Sequence, residues 1–303
     1  MRLLVTGANG QVGWELDRSL AVLGNVIALD RWQCDLSRPE RLPKLVRSLK
    51  PDVIVNAAAY TAVDDAERDE RLATTVNGTA VDVMAQEARR TGALLVHYST
   101  DYVFDGVKEA PYEEDDPPHP INAYGRSKLA GEIAVQQAGG SYLILRTSWV
   151  YSARGRNFLR TILRLLRERD ELRIVADQIG APTSAVQIAQ ATAAIVATTV
   201  RERADGRFTS GLFHLTASGA TSWHGFAQAI LKGATHAALL APGRAPRLAA
   251  IASEDYPLPA TRPKNSRLAC DRLRQRFGIA LPCWKEGLSL CIEEMRAQFV
   301  HAS

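Results

Sequence analysis

Cysteine is scarce: four residues of 303, at positions 34, 270, 283 and 291. None makes a C-x-x-C pair, and no histidine cluster joins them. This excludes a structural zinc of ordinary ligand spacing and a disulfide framework, and it fits a reducing compartment. Long apolar runs are missing as well. None approaches the roughly 18 to 20 residues a membrane-crossing helix needs. The N-terminus, Met1-Arg2-Leu3-Leu4-Val5-Thr6-Gly7, turns to glycine too soon for a signal-peptide core and reads as a first strand. The expectation is a cytoplasmic protein with no membrane partner. Charge of one sign is not in large excess: 37 Lys and Arg face 33 Asp and Glu, mostly interspersed, for a net +4. A nucleic-acid surface needs a basic stripe with stacking aromatics, so no nucleic-acid partner is expected.

What is present is ordinary globular material. With 46% hydrophobic and 23% charged residues, the chain can bury enough apolar surface to order itself. The length allows one large or two modest domains. Residues 1–150 alternate short apolar strands (3–6, 26–29, 52–56, 94–99, 142–146) with helices (12–23, 39–49, 72–91, 123–137). That alternation predicts an α/β fold, a doubly wound parallel sheet of the Rossmann type. Beyond residue 150 the rhythm loosens. Helices are expected at 157–169, 184–200, 222–231 and 284–299, and strands at 172–175 and 211–215. The proline-rich stretch 241–265 is expected to be irregular. The division expected is a dinucleotide-binding domain over 1–150 and a smaller α/β substrate domain over 151–303, with segments such as 177–215 returning to the sheet.

Gly7-Ala8-Asn9-Gly10-Gln11-Val12-Gly13 follows the first strand and opens a helix. Its G-x-x-G-x-x-G spacing suits a tight turn that brings the backbone close to a pyrophosphate at the helix N-terminus. Asp30 ends the second strand, where a carboxylate commonly takes the adenosine ribose hydroxyls. Arg31 beside it can hold a 2′-phosphate, so NADH and NADPH both remain open. Asp35-Leu36 can flank the adenine, although Asp35 reads equally as a helix cap. The small residues after Asn56, Ala57 to Ala59, let a cofactor lie against the strand end.

Tyr124 and Lys128 stand at i and i+4 on one helical face. A neighbouring ammonium lowers a phenol's pKa, making it a usable acid at neutral pH. Ser99-Thr100 ends a strand, where a hydroxyl can meet a reacting carbonyl. Y-x-x-x-K alone is common by chance; the order glycine loop, Ser99-Thr100, Tyr124-Lys128 is what gives it weight. Arg262, Lys264 and Arg267 lie near Asn265-Ser266, and arginine suits a nucleotide diphosphate; a solvated basic loop is the other reading. Trp223, Trp284, His97 and His214 read as packing residues.

Together these stretches, with residues 52–64, 97–104, 146–151 and 180–183, resemble the extended short-chain dehydrogenase/reductase family. Within it they resemble the branch that reduces dTDP-4-dehydro-L-rhamnose. The resemblance spans essentially the whole chain. It implies hydride transfer from NADH or NADPH to C4 of the 4-keto sugar, giving dTDP-L-rhamnose. Tyr124 is then the proton donor. Lys128 lowers its pKa and holds the nicotinamide ribose. Thr100 polarises the carbonyl, and Asp101 and Trp149 hold the sugar. Asn157, Arg262, Asn265 and Arg267 are further substrate contacts. Gly7, Gly10, Gln11, Val12 and Gly13 lie at the pyrophosphate, and Asp30, Asp35, Leu36, Ala58, Ala59 and Thr61 meet the rest of the cofactor. A dehydratase is disfavoured, because Asp101 is followed by Tyr102 and not by glutamate. A 4-epimerase and a non-catalytic, reductase-like regulatory subunit remain alternatives. Some family members are Mg²⁺-linked homodimers using three glutamates. Glu15 and Glu294 match two of these positions, but Val186 stands at the third, which puts the metal and that homodimer in doubt.

Overall fold

The computed structural model describes residues 1–244 and 246–300. In chain order, its main elements begin with β1 (Arg2–Thr6), α1 (Gln11–Leu20), β2 (Asn25–Leu29), β3 (Val53–Asn56) and α2 (Ala80–Thr91). Next come β4 (Leu94–Thr100), α3 (Ala123–Ala138), β5 (Tyr142–Thr147), α4 (Phe158–Glu168) and α5 (Ala185–Ala204). The last are β6 (Gly211–His214), α6 (Trp223–His236) and α7 (Trp284–Val300). Among the described residues no helix is long and apolar enough to cross a membrane.

The six strands β1 to β6 form one parallel sheet in the order β6-β5-β4-β3-β1-β2. Every residue of β3 and β4 is buried, as expected for strands covered on both faces. Successive side chains point to opposite faces. Leu3, Val5, Val53, Val55 and Val96 pack with Leu16 and Leu20 of α1 and Ile188 and Ile195 of α5. Leu4, Ile54, Leu95 and Ile144 pack with Val81, Met84 and Ala88 of α2 on the other side. A separate core, around Tyr151, Leu159, Ile162, Phe226, Ile230, Trp284 and Leu288, holds the later helices together. The strand order reverses at β1, with β2 added on one side and β3 on the other, so a crevice opens beyond the carboxyl ends of β1 and β3.

Two segments differ from the sequence reading. The helix expected at 72–91 is broken: a helical turn at Glu70–Thr74 passes into a π-helical turn at Thr75–Thr79 before α2. The bulge carries Asn77, whose side chain closes on the Tyr60 backbone at both ends, N–H to Oδ1 at 2.8 Å and Nδ2 to the carbonyl at 3.0 Å. Gly131 of α3 makes room for it; a Cβ there would lie 2.2 Å from the Asn77 carbonyl oxygen. Inserted turns of this kind are frequent at functional sites. In the stretch expected to be irregular, Arg247–Ile251 is a strand that pairs in parallel with Glu171–Val175. Its prolines bound the strand at 246 and 257 and do not interrupt it.

A buried ion pair ties α3 to β5. Arg146 meets Glu132 bidentately at 2.8 and 2.6 Å, with both side chains at most 3% exposed. Breaking such a pair strands an uncompensated charge in the interior. Glu132→Gln is therefore expected to cost about 3–5 kcal/mol, read as a lower urea midpoint with an unchanged slope.

Candidate active site

The glycine turn is enforced by packing. Gly7 has φ +77°, and a Cβ on it would lie 2.8 Å from the Ala58 amide nitrogen. A Cβ on Gly13 would lie 2.0 Å from the Gly7 carbonyl oxygen. The strand end, the turn and the start of α1 are thus in backbone contact. Gly10 caps α1 without any side-chain hydrogen bond to its first turn. Unpaired N–H groups at a helix start suit an anion.

Beyond this turn lies a cleft of about 500 Å³. Gly7, Gly10, Gln11, Val12, Asp35, Leu36, Ala58, Ala59, Thr61, Tyr124 and Lys128 all line it. Gly13 is buried beneath the turn. Asp30 does not line it; its carboxylate accepts from Asn9 Nδ2, a lining residue, at 3.1 Å and from the Trp32 and Gln33 amides at 2.9 and 3.2 Å. Asp35 does not cap the following helix; it accepts from the Ser37 amide and hydroxyl at 3.0 and 2.8 Å. Arg31 is exposed and 3.8 Å from Asp35.

Tyr124 and Lys128 project from the first turns of α3, whose start is capped by Asn122 accepting from the Gly125 amide at 2.7 Å. Burial pushes the Tyr124 phenol up to about 12, against a hydrogen bond with Thr100 that pulls it down. The phenol is therefore in its proton-donating form at neutral pH. Lys128 is 1% exposed and donates to the Tyr98 carbonyl at 2.6 Å. Burial brings its ammonium down to about 8, with Glu132 opposing. In the protein alone, then, Thr100 is the group drawing the phenol's pKa down, while the lysine is turned to the Tyr98 carbonyl.

Thr100 Oγ1 donates to Asp101 Oδ1 at 3.0 Å. Asp101 is almost fully buried, and desolvation raises its carboxyl to about 6 despite hydrogen bonds from Ser266 and Thr100. Because the folded value lies above the unfolded one, the stability this group lends is full below about pH 4 and is lost as pH rises through about 6. Asp101→Asn is expected to raise stability at pH 8 by up to roughly 3 kcal/mol, with the gain vanishing near pH 4. Denaturant titrations at the two pH values check it.

Trp149 sits in the left-handed region at φ +48°. Its ring stacks on Trp223 at 3.5 Å, and Gly180 also lies against it, where a Cβ would fall 2.5 Å from the indole. Trp223 does pack, and the partner it packs against is a candidate sugar contact. The remaining candidates are already engaged. Asn157 caps α4 and donates to Gln11 Oε1 at 2.8 Å. Arg262 holds Asp64 bidentately at 2.7 Å. Asn265 donates to the Lys108 and Ala110 carbonyls at 2.5 and 2.8 Å. Arg267 donates to Asn265 Oδ1 at 2.8 Å and to the Glu109 carbonyl. These four do not line the cleft; they fasten the later segments to the glycine turn, Asp64 and the 105–112 loop.

Several lining residues were given no role in the sequence reading, among them Tyr98, Thr147 and Arg156, while Ser99, singled out there, does line the cleft. Tyr98 and Thr147 lie at carboxyl ends of strands, a place that sheet topology marks as functional. Arg156 follows Gly155 in a loop folded over Gln11, and no local signal marks it.

The residues present fit a dinucleotide: a glycine turn too tight for a Cβ, an uncapped helix start and an apolar strand edge. They do not fit a magnesium ion. Glu294 helps to raise the Glu15 carboxyl, so the two carboxylates sense each other. Val186 lines an apolar groove beside Glu294, and no cluster of three or more His, Cys, Asp or Glu occurs among the described residues. Mg²⁺ needs a fuller set of oxygen ligands.

A cleft built this way, at the reversal point of a parallel sheet, belongs to the Rossmann-type reductases and epimerases. The model of the RmlD substrate binding domain matches residues 1–297, and the chain belongs to that family. It is 57% identical over 298 residues to a dTDP-4-dehydrorhamnose reductase of Burkholderia thailandensis, covering 98% of this chain and 100% of that protein. To the dTDP-4-dehydrorhamnose reductase of Escherichia coli K12 it is 44% identical, covering 97% and 98%. The crystal structure of the Bacillus anthracis dTDP-4-dehydrorhamnose reductase in complex with NADP superposes with a TM-score of 0.85 at 34% identity, covering 97% and 99%. A Thermus thermophilus UDP-glucose 4-epimerase shares the fold, with a TM-score of 0.76 at 22% identity over 98% and 99% of the two chains.

Proposed function

We propose that this chain reduces the 4-keto group of dTDP-4-dehydro-β-L-rhamnose, giving dTDP-L-rhamnose, with NADPH or NADH as reductant. The observation that carries the reading is a protonated Tyr124, bonded to Thr100, facing the same cleft as Lys128 and the glycine turn. Reduced nicotinamide bound there supplies the hydride. Tyr124 gives its phenolic proton to the oxygen that gains charge at C4, a general-acid step. Thr100 shares the Tyr124 hydrogen bond and polarises the carbonyl. Lys128 holds the nicotinamide ribose from beneath. Gly7, Gly10, Gln11, Val12 and Gly13 seat the pyrophosphate. Asp30, Asp35, Leu36, Ala58, Ala59 and Thr61 take the rest of the cofactor.

Asp101 and Trp149 form the sugar side of the site. Asn157, Arg262, Asn265 and Arg267 complete the substrate set, each giving up or sharing a bond it now makes within the chain. The domain reading is a cofactor half over 1–150 and a substrate half over 151–303. A homodimer is part of the proposal, its contact the groove of Val186, Ala191 and Leu281, beside which Leu290 is 63% exposed. Four free cysteines suit the reducing cytoplasm. Oxidation of NADPH and NADH in the presence of dTDP-4-dehydro-L-rhamnose tests the reading; no turnover with either would overturn it in favour of a non-catalytic subunit.

A further inference from the structure

Beneath Lys128 runs a chain of buried polar side chains drawn from three neighbouring strands. Thr6 of β1 donates its hydroxyl proton to Asn56 Oδ1 at 2.6 Å. Asn56 of β3 presents its Nδ2 to His97 Nδ1 at 3.1 Å. His97 of β4 places its Nε2 3.4 Å from Lys128 Nζ. Thr6 and His97 are 0% exposed and Asn56 and Lys128 1%, so no solvent completes these contacts. The close approach of the ring to α3 depends on Gly131, where a Cβ would lie 3.3 Å from His97 Nε2.

The directions of the bonds have a consequence. Asn56 turns its Oδ1 to the Thr6 hydroxyl and its NH₂ end to the imidazole. An amide N–H requires a lone pair on Nδ1, so the neutral ring carries its proton on Nε2. That N–H faces Lys128. It can donate to the lone pair of a neutral amine but offers nothing to an ammonium. We infer that the Thr6–Asn56–His97 chain fixes the His97 tautomer and thereby sets the protonation equilibrium of Lys128, making Asn56 and His97 positioning residues for that lysine. This rests on the proposed reductase reading only for its effect on turnover.

The surroundings agree. Lys128 is held to about 8, and burial together with Lys128 lowers His97 well below its ordinary range, so the ring stays neutral. The other groups acting on Lys128 are the Tyr98 carbonyl from β4 and, on its own helix, Glu132; Tyr124, one turn earlier, lines the same cleft. Glu132 is held by Arg146 and so is only partly available to the ammonium. With its ammonium form required at the ribose, reduction should fall as pH rises through about 8.

The test has two arms. In ¹⁵N-histidine-labelled wild-type protein without ligands, the assigned His97 ring should show a protonated Nε2 and an unprotonated Nδ1 across pH 6 to 9. A protonated Nδ1 would overturn the inference. In Asn56→Asp, the carboxylate still accepts from Thr6 but can only accept from the ring, so the proton moves to Nδ1 and Nε2 becomes an acceptor for the ammonium. The alkaline limb of kcat should then move up by at least one pH unit with the His97 proton on Nδ1 in the variant's spectrum; a limb that moves while the proton stays on Nε2 reflects the carboxylate's charge alone and overturns the inference. A folded variant whose limb stays put, or moves down, overturns the inference as well. If wild type shows no turnover at all, the reductase reading fails, while the spectrum still decides the tautomer.

Discussion

Replacing Tyr124 with Phe should lower kcat for 4-keto reduction by about 10²- to 10⁴-fold, while the cofactor still saturates the protein. The ring is retained, so the packing against Tyr102, edge-on at 5.8 Å, survives. What disappears is the proton. Burial keeps the phenol protonated at neutral pH, and no other side chain in the cleft combines a proton with contact to Thr100. A loss of that size corresponds to roughly 3–5 kcal/mol of barrier. Steady-state NADPH oxidation paired with a fluorescence titration of NADPH separates the two quantities. Near-full activity in the variant would remove Tyr124 from the mechanism.

The second large effect is expected at Gly13. A methyl group there meets backbone on its far side, 2.0 Å from the Gly7 carbonyl oxygen and 2.6 Å from its carbon. No side-chain rotation relieves it, so either the glycine turn or α1 must shift. Gly13→Ala should cost about 3 kcal/mol, the upper end of ordinary overpacking, and weaken NADPH binding at least tenfold. Gly10→Ala is the natural comparison, because its Cβ would sit 3.1 Å from the same oxygen and the turn can give by tenths of an ångström. Urea denaturation and NADPH titration on both variants check the order. Equal behaviour of the two would contradict the geometry.

What could be read from the chain, and what could not, divides along a physical line. The five early strands and the glycine turn are local: β-branched runs end in residues that permit a tight turn, and the spacing of Tyr124 and Lys128 follows from helical periodicity alone. Residues singled out on such grounds, among them Gly7, Gly10, Ala58, Ser99, Tyr124 and Lys128, face one cleft. The π-helical turn is different. Residues 74–79, Thr-Thr-Val-Asn-Gly-Thr, are weak helix formers inside an otherwise helical run, but propensity alone does not specify a π-helical turn; its form comes from Asn77 reaching Tyr60, 17 residues away, and from the space at Gly131. The strand Arg247–Ile251 was hidden by flanking prolines and exists because Glu171–Val175 lies beside it. Arg262 and Arg267 looked free because their partners, Asp64 and the Glu109 carbonyl, are more than 150 residues distant. His97 reads as a packed core histidine, and its contact with Lys128 depends on three strands meeting side by side.

The single oxygen of Gln11 bears on how far this molecule can be treated as two exchangeable parts. Gln11 belongs to the glycine turn, yet its Oε1 accepts from Ser152 at 3.2 Å and Asn157 at 2.8 Å, and Arg154 covers Trp14 of the same helix at 3.3 Å. α5, from the later half, packs directly on α1. A chimera joined at residue 150 would import the glycine turn without the loop that packs on it. Transplanting the glycine turn between relatives therefore requires moving residues 152–157 and the α5 face along with it, so the unit of exchange is a discontinuous surface and not a length of chain.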